Sequence, residues 1–267
     1  MTQLPNTTLL DLELNDGWLT IWLNSPSNRN ALSDTLMAEF VATLEAVKPD
    51  RSVRGITLRG RGGVFCSGGD LKSFASGQTN PSRGHFIKLN RGIGDVFDLL
   101  QSMPQVVIAF VEGAAIAGGL GLMCCADVIV VTEDAKFSLT ETMIGIVPAQ
   151  IAPIVVARVG LPKARRLMLT GARFTGAETD TFGLSDFIIT NASDFAELEA
   201  QLIHGVKRCA PGANGLTKEI LVATPYLDRE AQKDFAAEKF TDAILSDEGK
   251  EGIASFLEKR KPSWSMN

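Results

Sequence analysis

Apolar and polar residues alternate over positions 9–14 and again over Trp18–Leu23, on either side of Asn15-Asp16-Gly17. This pattern predicts a β-hairpin with a tight turn. Ser33 is placed to cap a helix. Leu32, Leu36, Phe40, Leu44 and Val47 then recur on one helical face, and Pro49 stops the run. Residues 55–58 and Val106–Val111 are short, wholly apolar runs, and residues 83–100 between them read as a helix. A strand, helix, strand order with such runs predicts parallel pairing and right-handed crossovers. Residues 118–125 suit a short buried helix and residues 128–131 a third parallel strand. Pro162 opens a helix through Met168 that Gly171 closes. From Asp194 onward the chain is charged, amphipathic and helical, ending in residues 252–260. There is no solenoid repeat and no low-complexity linker. The pattern therefore predicts an α/β body over residues 1–192 and a helical region over residues 193–267. The apolar stripes of that region are free to cover a neighbouring subunit.

Composition narrows the function classes. With 267 residues and 45% hydrophobic content, the chain can bury a large core in one extended domain. A formal charge of −5 and a pI near 5.2 disfavour nucleic acid as a partner. Four cysteines without C-x-x-C spacing suggest no disulfide framework, and two histidines, His85 and His204, leave little for a metal site. The N-terminus lacks an export pattern, and no apolar run approaches the ~20 residues that span a bilayer. The expectation is a cytoplasmic, reduced protein with no metal and no membrane partner.

Candidate chemistry lies in two glycine-rich turns, Val64-Phe65-Cys66-Ser67-Gly68-Gly69-Asp70-Leu71-Lys72 and Gly113-Ala114-Ala115-Ile116-Ala117-Gly118-Gly119-Leu120-Gly121. Each follows an apolar strand, at the strand end where α/β units bind ligands. Two readings are open for each turn. The glycines let a strand turn tightly into a helix, or they aim backbone N–H groups at a developing oxyanion. Neither turn matches a phosphate loop or a complete dinucleotide fingerprint, and Ser67 is not in G-x-S-x-G. Cys66 and Ser67 read as packing and turn residues. Glu141 sits among apolar residues, where burial would raise its pKa into a working range for proton transfer; the alternative is a solvated loop carboxylate. Asp70 and Asp127 read as structural carboxylates, and Glu112 as an ion-pair partner or a second acid. His85 and Lys88 read chiefly as solvated or capping residues, Tyr226 and Trp264 as packing residues.

These motifs, with Asn24-Ser25-Pro26-Ser27-Asn28-Arg29-Asn30-Ala31-Leu32 before them and Ala135-Lys136-Phe137 after, resemble the crotonase superfamily of enoyl-CoA hydratases and isomerases. Their order and spacing carry the resemblance over nearly the whole chain. It implies a spiral of ββα units with a C-terminal helical trimerisation region, assembled as a homotrimer or a dimer of trimers. It also implies an acyl-CoA thioester substrate, with CoA part of the substrate and no separate cofactor. Gly69 and Gly118 match the two oxyanion-hole donors, and Glu141 a catalytic glutamate. Ser67, Gly68, Gly69, Asp70, Leu71 and Lys72 match the stretch along the thioester and CoA. Arg29 and Ala31 border its nucleotide part, and Lys259 and Lys261 resemble tail lysines near its phosphates.

One departure bears on the reaction. Two-glutamate hydratases carry their other glutamate where this chain has Gly121. A single carboxylate can shuttle a proton along an enolate, as an isomerase does, or complete hydration by relaying the water's own proton. Gly118-Gly119-Leu120-Gly121-Leu122 and Val147-Pro148-Ala149-Gln150-Ile151-Ala152-Pro153 resemble a branch that hydrates branched glutaconyl-CoA thioesters, including methylglutaconyl- and isohexenylglutaconyl-CoA hydratases. The leading expectation is an acyl-CoA hydro-lyase. Its alternatives are a double-bond isomerase and a CoA-binding scaffold without turnover.

Overall fold

The computed structural model describes residues 2–70, 82–191 and 193–265. Among them are nine strands: β1 (Leu10–Asn15), β2 (Trp18–Leu23), β3 (Gly55–Gly60), β4 (Val106–Val111), β5 (Ala114–Ile116), β6 (Val128–Thr132), β7 (Lys136–Ser138), β8 (Arg173–Thr175) and β9 (Phe187–Ile189). The helices are α1 (Asp34–Val47), α2 (Arg83–Gln101), α3 (Gly118–Cys124), α4 (Ile151–Val159), α5 (Leu161–Thr170), α6 (Thr179–Phe182), α7 (Asp194–Lys207), α8 (Pro211–Ala223), α9 (Arg229–Leu245) and α10 (Asp247–Leu257).

The hairpin forms as expected, with Leu10 opposite Leu23 and Asn15 opposite Trp18. From β2 onward the main sheet is parallel, in the order β1-β2-β3-β4-β6-β9. Parallel strands covered on both faces have no polar side to show, which is why β4 reads Val-Val-Ile-Ala-Phe-Val. Val107, Ala109 and Val111 point into the main core, while Ile108 and Phe110 join a second cluster with Trp18, Val130 and Phe195. A smaller sheet, β5-β7-β8, forms a second layer. An isolated bridge from Cys66 to Ala115 extends that layer toward the first glycine turn.

Helix α1 starts where Ser33 accepts a hydrogen bond from the Leu36 N–H, and it buries the expected stripe of Leu36, Phe40, Leu44 and Val47. Helix α5 runs from Leu161 to Thr170, with Pro162 in its first turn and Gly171 closing it in a left-handed conformation.

Several expectations change. Strand β3 runs on to Gly60, and a 3-10 turn over Arg61–Gly63 separates it from the glycine turn. What reads as the second turn contains β5. The bend comes at Gly113, whose φ is +69° and where a Cβ would lie 1.8 Å from the Gly63 carbonyl oxygen. Strands β5, β7, β8 and β9 have three residues each, too few to show a period; backbone pairing to neighbours defines them. Tyr226 is 82% exposed among the described residues.

The boundary at residue 192 also divides less cleanly than the pattern suggests. Phe195 of α7 is buried edge-on against Phe110, with ring centroids 5.0 Å apart. Glu199 of the same helix accepts a hydrogen bond from Thr57, which itself accepts one from the Trp18 indole. Helix α7 thus covers the outer face of its own sheet. Farther on, Lys218 of α8 is buried, donating to the Gln105 carbonyl and pairing with Asp127. Asp127 also accepts the Val107 N–H, so its role is structural, as expected.

Candidate active site

Two segments zip together to make the floor of the site. The Ser67 N–H donates to the Arg29 carbonyl, the Leu32 N–H to the Gly68 carbonyl and the Asp70 N–H to the Leu32 carbonyl. In a parallel bridge of this kind, Leu32 against Gly69, the bonds run through the residues flanking Gly69. The Gly69 N–H is therefore turned to the other side, where it has no hydrogen-bond acceptor among the described residues. Gly68 makes this path possible: its φ is +94°, and a Cβ there would sit 2.9 Å from the Ala117 Cβ and the Ile116 oxygen.

The second donor comes from the start of α3. Ala117, with φ +51° and ψ −120°, turns the chain sharply before the helix. As the first helical residue, Gly118 has no intrahelical acceptor for its N–H. A Cβ built on Gly118 would lie 3.4 Å from the Gly69 nitrogen, which fixes how close the two glycines are. Two main-chain donors without an acceptor among the described residues thus stand side by side.

Glu141 follows β7, at the start of a 3-10 turn, and lines the same cleft as the two glycines. The Ala117 N–H donates to the Ser138 carbonyl, tying the α3 entry to the strand that leads into Glu141. A 3-10 turn over Glu141–Ile144 closes at Gly145, and the Thr142 hydroxyl donates to the Met168 carbonyl of α5. Glu141 is only 6% exposed, and neither carboxylate oxygen has a hydrogen-bond partner among the described residues. Burial pushes its pKa above the ordinary value of 4.5. The folded state therefore holds this proton more tightly than the unfolded chain does. The resulting stability is fully present below pH 4.5 and is lost as pH rises through the raised value. Glu141→Gln is accordingly expected to melt higher than the parent at pH 7, with the gap closing as pH falls through the raised value toward 4.5. Melting temperature against pH for the two proteins checks this.

A cleft of about 170 Å³ collects these groups. Its lining includes Leu32, Ser67, Gly69, Gly118, Glu141 and Ile151. Of the expected site residues, Arg29, Ala31, Ser67, Gly68, Gly69, Asp70, Gly118 and Glu141 are brought together at or beside it. Leu71 and Lys72 lie outside the described residues. Lys259 sits just past α10 in a left-handed conformation and is not among the residues lining the cleft. Burial pushes the Cys66 thiol up to about 12, and its sulfur accepts the Gly68 N–H, in keeping with a packing role. Glu112 pairs with Arg59 at 3.0 Å, the structural alternative of its two readings.

Sequence patterns missed three contributors. Buried Asn30 fixes the Arg29–Ala31 segment by donating to the Arg61 and Val64 carbonyls while accepting the Ser25 N–H. Ile151 packs onto Gly121, so that a Cβ there would lie 3.0 Å from its side chain. Asn90 and Gln150 are hydrogen-bonded to each other inside the cleft.

The family model for enoyl-CoA hydratase/isomerase matches residues 13–267. The chain belongs to the enoyl-CoA hydratase/isomerase family. Its structure superposes on Pseudomonas aeruginosa AtuE with a TM-score of 0.93 at 44% identity, covering 97% of this chain and 100% of that one. An enoyl-CoA hydratase/isomerase from Marinobacter aquaeolei gives a TM-score of 0.91 at 39% identity, over 96% and 99% of the two chains. A peroxisomal Delta(3,5)-Delta(2,4)-dienoyl-CoA isomerase of Arabidopsis thaliana is 31% identical over 91% of each. The crotonase fold expected from the motifs is thus present, and the protein is an enzyme of a family that hydrates or isomerises CoA thioesters. Among the described residues no helix is long and apolar enough to cross a membrane.

Proposed function

We propose that this enoyl-CoA hydratase/isomerase family member adds water across the α,β double bond of an enoyl-CoA. The observation that carries the reading is a buried carboxylate sharing one cleft with two glycine amides, none of the three having a hydrogen-bond partner among the described residues. The thioester oxygen would lie between the Gly69 and Gly118 N–H groups, which stabilise negative charge as the carbonyl becomes an enolate. Glu141 takes a proton from water as the water oxygen bonds to Cβ, then returns that proton to Cα. Atoms balance: one water is added, the carboxylate is regenerated, and H and OH arrive on the same face. Arg29, Ala31 and Ser67–Asp70 would line the CoA path.

The closed space at Gly121 supports a one-carboxylate mechanism. Gly121→Glu would drive its side chain into Ile151. Such overpacking costs about 1–3 kcal/mol. The variant is expected to show a lower urea midpoint and no gain in hydration rate. A stable, faster enzyme would contradict this account of residue 121.

A branched, glutaconyl-type acyl group is the finer proposal. Among the described residues the cleft lining holds Asp34 and Glu141 but no cation, while an adjoining hollow shares Asp34, Met37, Leu89 and Ile93 with it and adds His85 and Lys88. A second carboxylate on the acyl group would find the Lys88 ammonium and a His85 hydrogen-bond donor there. Double-bond isomerisation is the second reading, favoured by the single carboxylate. Turnover of methylglutaconyl-CoA and simple enoyl-CoAs in heavy-oxygen water decides: label in the product supports hydration, and a shifted double bond without label supports isomerisation.

The helical region proposed for oligomerisation exposes Leu221, Phe240, Leu245, Phe256 and Leu257, each at least 66% accessible. Burying them between copies fits a homotrimer or a dimer of trimers. In such an assembly Lys259 could approach a cleft only as part of the oligomer.

A further inference from the structure

The strongest unassigned feature of the cleft is its amide pair. Gln150, the residue before α4, donates from Nε2 to Oδ1 of Asn90 on α2 at 2.9 Å. One turn beyond Asn90, Gly94 leaves room for the rest of that amide: a Cβ at position 94 would lie 2.5 Å from Gln150 Oε1 and 3.0 Å from its Cδ. The Gln150 amide is thus held at both ends, its nitrogen on Asn90 and its oxygen against the bare helix at Gly94. Among the described residues, neither Asn90 Nδ2 nor the second Gln150 Nε2 hydrogen has a hydrogen-bond partner. The pair offers donors to the cleft that Glu141 also lines.

Hydration by one carboxylate needs something else to hold the water. Glu141 must receive the proton, so it cannot alone fix the direction of the oxygen lone pair. A neutral amide can hold a water without competing for that proton, since amides do not titrate in the working range. Position matters too. Ile151, next to Gln150, packs over Gly121 and crowds any side chain there, while the Gln150 amide lines the cleft beside it.

We propose that the Asn90–Gln150 pair positions the attacking water for Glu141. This rests on the hydratase reading above. The test compares the parent with Gln150→Met, Asn90→Leu and Gly94→Ala, the last displacing the amide without altering its chemistry. Two rates are read: incorporation of heavy oxygen into an enoyl-CoA, and exchange of the Cα hydrogen of a saturated acyl-CoA in heavy water. The second needs Glu141 and the glycine amides but no attacking water. Hydration is expected to fall about tenfold in Gln150→Met and Asn90→Leu, and less in Gly94→Ala, with Cα exchange within about twofold of the parent. Equal losses in both rates, unchanged hydration, or a rise in KM confined to oxygenated acyl chains would overturn the proposal. A parent that exchanges Cα hydrogen but never takes up label overturns the hydratase reading, and that result is visible before any substitution is made. A parent that hydrates without exchange overturns Glu141 as sole proton carrier, and the water-positioning role with it.

Discussion

Glu141→Ala is expected to lose about a thousandfold or more in turnover while still binding acyl-CoA. General acid–base catalysis contributes roughly 10²–10⁴-fold, and here both proton transfers fall to one side chain. Binding should survive because the groups proposed to hold the thioester, the Gly69 and Gly118 amides, are main-chain atoms. Isothermal titration with a saturated acyl-CoA, beside steady-state kinetics, separates the two effects. Parent-like turnover in the variant would remove Glu141 from the mechanism. A pH signature accompanies this result. The base must be ionised, and burial sets its pKa above 4.5, so the acid limb of kcat should fall at a pH higher than an ordinary glutamate gives. In Glu141→Gln any residual rate should lack that limb.

Gly118→Pro is expected to cost about 10²–10³-fold in kcat, the loss typical of removing one oxyanion donor. Proline suits the first position of a helix, so α3 itself has no reason to unwind. The strain falls on Ala117. A residue before proline prefers ψ of about +120° to +160°, whereas Ala117 has ψ −120°. Some reorientation of the turn therefore accompanies the lost N–H. Gly118→Ala is the control that keeps the donor. Its Cβ would meet Leu32 Cδ1 at 3.3 Å, a contact a flexible leucine can relieve. Activity retained in Gly118→Ala and lost in Gly118→Pro would implicate the N–H; equal loss in both would point to crowding instead.

The main sheet was largely legible because its residues obey a local rule. β4 is apolar at every position since both faces are covered, and α1 carries its stripe at helical spacing. The second layer was not, because its three-residue strands form only where Gly113 brings two segments into contact. The same divide runs through the site. Glycine repeats and an isolated glutamate in apolar surroundings announce themselves in sequence. The Asn90–Gln150 contact does not: its partners are 60 positions apart and depend on a bare helix surface at Gly94. Asn30 escaped for a similar reason, since its importance lies in three backbone groups it satisfies across a turn. Nor could the pattern foresee that Phe195 would cover the sheet of its own chain.

The bridge between Leu32 and Gly69 has a consequence for how such enzymes diversify. Because strand pairing itself turns the Gly69 amide away from its partner segment, the proposed anion receptor rests on main-chain topology rather than on a donor side chain. Substitutions at positions 121, 150 and 151 would then alter the side chains lining the cleft while leaving that main-chain arrangement in place.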